Sequence, residues 1–188
     1  VRVLRDGLLA WGGDAEHPLR GAAAAEGAPG WGRDVKAVVQ RVARASVEVE
    51  GRVAGSIGRG LAVLVGIEHA DGAAELAWMA EKLANLRVFE DADGRMNLSA
   101  KDLVPVGDIL LVPNFTVAGD ARKGRRRSFD NAMRPELAEP FFTRLVEAVR
   151  GQGVTVQTGV FRAHMLVSLV NDGPVTILLE SGAGRLAS

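Results

Sequence analysis

The sequence contains no cysteine. Disulfides, thiolate metal sites and a cysteine nucleophile are therefore excluded. Net charge is absent too, because 23 basic side chains balance 23 acidic ones. That rules out a disordered polyelectrolyte and a protein that grips nucleic acid with its whole surface, yet leaves room for a local basic patch. No apolar run approaches the roughly 20 residues of a membrane span. The N-terminus also lacks the compact apolar segment of a secretory signal, so a cytoplasmic protein without a membrane partner is the expectation. Histidine is scarce: His17, His69 and His164 are far apart. No HExxH, P-loop or GxGxxG pattern occurs. Carboxylates such as Glu90, Asp91 and Asp93 share a polar turn, where solvated charge is the simpler reading. The expected chemistry uses no metal and no cofactor.

What is present is a chain of 188 residues, 47% apolar, enough for one domain with a substantial core. Residues 1–34 are rich in Gly and Ala and show no sustained period, so a disordered or spurious leader is expected there. The folded domain is expected over 35–181, with a frayed tail over 182–188. Within it, "VVQRV" and "ASVEVEGRVAGSIG" alternate at period 2 around Gly51-Arg52, which predicts a strand and a hairpin. "LAVLVGI" and "GDILLVPNFTV" read as buried strands. Asp71 is expected to cap a helix whose inner face is Leu76, Met79, Leu83 and Leu86. Pro135 or Pro140 can open a second helix with Leu137, Phe141, Leu145 and Val149 inward, stopped by Gly151 and Gly153. "VTVQTGVF", "MLVSLV" and "VTILLE" add strands, the last two separated by the turn signal Asn171-Asp172-Gly173-Pro174. The fold class expected is mixed α/β: one curved, largely closed, barrel-like sheet with two covering helices.

Chemistry has three candidate places. A buried strand ends at Pro113-Asn114-Phe115-Thr116, where a loop can aim backbone N–H groups and a hydroxyl at a substrate. Thr116 as a plain β-branched strand residue and Phe115 as a core aromatic are the competing reading. Five cations, Arg122, Lys123, Arg125, Arg126 and Arg127, lie in one short run. They suit phosphate contacts as well as they suit a solvated surface. The third place is Gly173-Pro174, since proline removes a ladder donor just where a strand should start pairing.

In this order, these pieces resemble the D-aminoacyl-tRNA deacylase family, from about Lys36 to Ser181. The resemblance rests on "KAVVQRVARASVEVEGRVAGSIGRGLAVLVGI", "NLRVFEDADGRMNLS", "GDARKGRRRSFDNA" and "TGVFRAHMLVSLVNDGPVTILLES", with "NDGPVT" the most specific. It implies a homodimer that hydrolyses the ester between a D-amino acid and the 3′ end of tRNA, and that also accepts glycine. It implies that Gly173 and Pro174, joined in cis, enter the partner's active site and exclude L-side chains. By the same resemblance, Phe115 and Thr116 offer backbone N–H groups to the reacting carbonyl, and Thr116 acts as nucleophile or as positioning hydroxyl. Pro113, Asn114, Ala163 and Met165 would line the substrate pocket, and the run from Arg122 to Arg127 would meet acceptor-stem phosphates. tRNA is the implied nucleic-acid partner, not DNA. Two departures stand out: Pro113-Asn114 replaces the family's usual Ser-Gln, and Arg162 stands where the family usually has glycine. The rival readings are a catalytically silent tRNA-binding relative and a structural dimer module.

Overall fold

A computed structural model of the chain describes residues 35–120 and 128–181. The expected leader, the expected tail and the cationic run from Arg122 to Arg127 lie outside the described residues.

Strand β1 (Lys36–Val49) carries the alternation seen in the sequence. Glu50 and Gly51 reverse the chain with φ of 50° and 76°, both positive as a two-residue type I′ hairpin requires. β2 (Arg52–Ile57) then pairs antiparallel with the second half of β1, and β3 (Gly60–Gly66) with its first half. Helix α1 (Ala73–Asn85), a small hairpin of β4 (Phe89–Glu90) and β5 (Met96–Leu98), and a 3-10 turn at Ala100–Asp102 lead to β6 (Asp108–Pro113). Helix α2 (Pro135–Arg150) leads on to β7 (Thr155–Thr158), and β8 (Leu166–Glu180) ends the sheet. β3, β6 and β7 are mutually parallel. Parallel neighbours need long crossovers, which α1 and α2 supply.

The central strands β3 and β6 are buried on both faces. Val39, Leu61, Val63, Ile109 and Leu111 face the helices, meeting Met79, Leu83, Phe141 and Leu145. Alternate residues, Val42, Val47, Ala62, Leu110 and Val112, form a second core inside the curve. β2 closes that curve by lying against β6 and β7. At Gly55 a side-chain carbon would sit 2.7 Å from the Thr158 carbonyl oxygen and 3.3 Å from Leu110 Cδ1. Glycine is needed there for the close approach, not for a turn. The architecture is the expected mixed α/β one, a nearly closed barrel-like sheet with two helices. No helix among the described residues is long and apolar enough to cross a membrane.

Some local expectations need correction. Gly72, not Asp71, caps α1. Asp71 instead turns its carboxylate back, so that Oδ2 accepts the Glu68 N–H at 2.6 Å, a local bond that competes with capping. Pro135 opens α2, while Leu137 is 62% exposed and Ala138 takes its inward place. The largest difference is at the Asn-Asp-Gly-Pro signal. "VSLV" and "VTILLE" do not pair with each other; they are two halves of β8, both paired with β1.

The turn that feeds β6 depends on one acid. Asp102 Oδ2 accepts the Ser99 hydroxyl at 2.6 Å and the Ser99 N–H at 2.8 Å. Those two bonds, the hydroxyl's first, hold its carboxyl below the ordinary value. A depressed folded value means the stabilisation is full above the unfolded pKa and is lost as pH falls through the folded one. Ser99→Ala should move the Asp102 titration upward when the carboxyl is followed by NMR.

Candidate active site

β6 lies between two parallel neighbours, so its C-terminal end is the best-held strand end in the sheet. Asn114 extends the ladder by one bond, its N–H donating to the Val65 carbonyl at 2.8 Å. The chain then tightens into a 3-10 turn, Phe115–Ala118. Gly66 allows the turn to lie flat on β3, since a side chain there would approach Ala118 N to 2.8 Å.

Asn114 organises the turn. Its Oδ1 accepts the Thr116 N–H at 3.1 Å and the Thr116 hydroxyl at 2.6 Å. An amide oxygen accepts a hydrogen bond but is no base, so this contact does not activate Thr116 as a nucleophile. The exposed hydroxyl keeps lone pairs to orient a water or a substrate group. The Thr116 N–H is engaged within the turn, so an incoming oxyanion would have to displace Asn114 to use it. Phe115 packs edge-to-face on Phe129 with centroids 5.0 Å apart. Beside that pair, Asp120 and Ser128 exchange backbone bonds of 2.8 and 2.9 Å. Asp120 and Ser128, the described residues that flank the cationic run, are therefore paired close to Phe115.

A wall rises from the β7–β8 connection. The Gly159 N–H donates to the Leu111 carbonyl at 2.9 Å. A side-chain carbon on Gly159 would meet Met165 Sδ at 2.7 Å and Pro113 Cδ at 3.3 Å. Pro113, Gly159 and Met165 thus meet beside β6, and Met165 also packs on the inner core. Ala163 is half-buried on the same connection, in a turn closed by its N–H to the Val160 carbonyl at 3.4 Å. Arg162, the third residue of that turn, has φ of 60°.

Gly173-Pro174 belongs to a wide bulge in β8. Gln40 stands opposite Thr176 and Val42 opposite Asn171, so Asp172 to Val175 face Arg41 alone. The Gly173-Pro174 peptide bond is cis, and Gly173 has φ of 142°. Two side chains secure the bulge. Asn171 spans it, its Oδ1 accepting the Val175 N–H at 2.8 Å and its Nδ2 donating to the Val175 carbonyl at 3.0 Å. Arg41 supports it from within the barrel wall, Nε donating to the Asp172 carbonyl at 2.8 Å and Nη1 to the Val88 carbonyl at 2.6 Å. Arg41 is only 6% exposed. Sequence reasoning gave Arg41 no role and read Asn171 only as part of a turn. The signal for Arg41 was available, because period 2 puts it on the inward face with Ala37 and Val39. A charge there needs partners from elsewhere.

Among the described residues, no group of three or more His, Cys, Asp or Glu side chains could hold a metal ion.

A family model described as D-Tyr-tRNA(Tyr) deacylase matches residues 38–180. A D-aminoacyl-tRNA deacylase of Desulfitobacterium hafniense is 53% identical over 147 residues, covering 78% of this chain and 97% of that protein. One of Pelobacter propionicus is 52% identical over 146 residues, covering 78% and 99%. Among solved structures, one titled c-Myc DNA Unwinding Element Binding Protein superposes with a TM-score of 0.71 at 44% identity, over 77% of this chain and 97% of that one. A probable eukaryotic D-amino acid tRNA deacylase shares the fold, with a TM-score of 0.68 at 18% identity over 78% and 99%. With the model spanning nearly the whole described domain and relatives above half identity along it, the chain belongs to the D-aminoacyl-tRNA deacylase family.

Proposed function

We propose that this protein hydrolyses the ester joining a D-amino acid to the 3′-terminal ribose of tRNA, and glycine mischarged on tRNA(Ala). In this reading two copies complete each other's sites, and Gly173-Pro174 of one excludes L-side chains from the pocket of the other. The activity belongs where aminoacyl-tRNA is used, in the cytoplasm.

One observation carries the two-copy part. Arg41, which faces the Gly173-Pro174 bulge, is level with Leu61, and Leu61 with Ile109. Asn114 is five residues further along β6 than Ile109, which at about 3.3 Å per residue is roughly 16 Å along the strands. Three strand spacings separate β8 from β6 as well. A single chain therefore keeps its bulge away from its own Asn114–Thr116 turn, whereas a second copy can bring one to the other. β8 is suited to that contact: among the described residues it pairs only with β1, and it leaves Leu166 and Leu178 57% and 71% exposed.

The chemistry asked of the protein is modest. An aminoacyl ester is already activated, so an oriented water and a held carbonyl suffice. Thr116, without a base, serves as a positioning hydroxyl, and the substrate's own ribose 2′-hydroxyl can assist. Pro113, Ala163 and Met165 line the pocket. The cations from Arg122 to Arg127 meet acceptor-stem phosphates. The silent tRNA-binding alternative has one observation in its favour, the engagement of both Thr116 donors by Asn114.

Matched D- and L-tyrosyl-tRNA, and glycyl-tRNA(Ala), decide between the two. The wild type should cleave the D-ester and the glycyl ester while sparing the L-ester. Pro174→Ala should lower the D-to-L rate ratio by roughly tenfold to a hundredfold, because a pocket that discriminates by exclusion loses selectivity when the excluding group softens. Bound tRNA with no cleavage of any ester would instead favour the silent relative.

A further inference from the structure

Arg162 stands out on two independent grounds. Its φ of 60° lies in the left-handed region, at the third position of the Val160–Ala163 turn, where glycine or asparagine is the usual occupant. Among the described residues its guanidinium, on an exposed residue, makes no hydrogen bond or ion pair. The fold thus gains nothing visible from arginine at a position that disfavours it. Such an outlier points to function when it borders a site.

The turn does border the site. Phe161 anchors it on α2, its ring 6.5 Å from that of Phe142. On the other side Met165 reaches Gly159 beside Pro113. Along the connection, burial alternates: Phe161, Ala163 and Met165 are half-buried, while Val160, Arg162 and His164 are exposed. Ala163 and Met165 thus line the wall from within, and Arg162 and His164 stand on its outer rim. A guanidinium on that rim cannot read the amino acid, but it can meet what leads into the pocket. Resting on the deacylase reading above, that is the phosphodiester chain of the tRNA 3′ end.

We infer that Arg162 is a phosphate-binding residue at the pocket rim, holding the backbone of the last tRNA nucleotides so that the ester carbonyl arrives beside Phe115-Thr116. Guanidinium presents paired donors to phosphate oxygens. The contact is independent of sequence and sensitive to salt.

The test is binding of uncharged tRNA by full-length wild type, Arg162→Gly and Arg162→Lys across a range of salt concentrations. Arg162→Gly should raise Kd about three- to tenfold and lower the slope of log K against log salt by about one, as expected for one lost phosphate contact. Its Tm should be no lower than the wild type's, since glycine accepts φ of 60° freely. Arg162→Lys, equally strained but still cationic, should recover most of the salt slope. An unchanged Kd and slope in Arg162→Gly would overturn the inference, as would a weaker Kd accompanied by a lower Tm and an unchanged slope. Wild-type cleavage of D-tyrosyl-tRNA, measured alongside, judges the deacylase reading separately. A wild type that binds tRNA without cleaving it still decides the role of Arg162, and one that binds no tRNA refutes both.

Discussion

Arg41→Met should cut D-ester cleavage by about a hundredfold, since a misplacement of about 1 Å in a positioned group can cost that much. Methionine keeps most of the aliphatic length but none of the donors, so the Asp172 and Val88 carbonyls lose their partners. An orphaned buried acceptor costs about 1–3 kcal/mol. Only the Val88 contact is fully buried, while the Asp172 carbonyl keeps some access to water, so a stability loss of roughly 2–4 kcal/mol is expected for the pair. Lysine is no substitute, because a single ammonium on a flexible stem does not reproduce the fork that reaches both carbonyls. Urea denaturation and single-turnover deacylation, both run well below the variant's Tm, separate loss of fold from loss of function. A folded variant with wild-type turnover would mean that the Asp172–Val175 bulge holds its shape without Arg41.

Lys36→Met should have the largest effect on stability. Glu68 is 0% exposed, and Lys36 Nζ lies 2.8 Å from its Oε1. Its other oxygen, Oε2, has no hydrogen-bond partner in the described structure. Removing the ammonium leaves a buried charge uncompensated, at a cost of about 3–5 kcal/mol. The pair ties the first residue of β1 to the chain just beyond β3, next to where Asn114 joins the sheet. Lys36→Met combined with Glu68→Met should recover most of the loss, since an apolar pair of similar volume often replaces a buried ion pair at no cost. The denaturation midpoints of wild type, both single variants and the double variant form the check. Equal midpoints for wild type and Lys36→Met would show that Glu68 is compensated by something else.

The sequence made elements legible wherever one periodicity dominated. β1 and β3, the Gly51 hairpin, and the α2 stripe of Phe141, Leu145 and Val149 all followed from spacing. Leu137 failed because bulk was weighed above phase. The stripe through Ala138, Phe141, Phe142, Leu145, Val146 and Val149 is the true 3.6-residue face, and it begins with a small residue. Asp71 failed because a carboxylate beside a helix start has more than one backbone donor in reach. The Asn-Asp-Gly-Pro signal marks a reversal only when the flanking strands have each other as partners. Here both halves find the same third strand, and local sequence cannot report that. Of the candidate site, the strand end at Pro113 and the loop that follows it were readable. Arg41 was missed because its role is long-range, reaching carbonyls 131 and 47 residues away. Asn171 was read as part of a turn, whereas its amide spans a bulge to Val175.

The pairing of β1 with β8 joins Lys36 to Glu180, nearly the two limits of the described chain. During synthesis, β1 is therefore made first and completed last. At about 5–20 residues per second, the wait is roughly 7–30 seconds. Throughout it, one long edge of β1 offers unpaired backbone groups to any other extended segment nearby. Newly made chains of this protein should thus be most vulnerable to misassociation at their earliest strand, and most in need of a chaperone until the final 15 residues of the sheet have emerged.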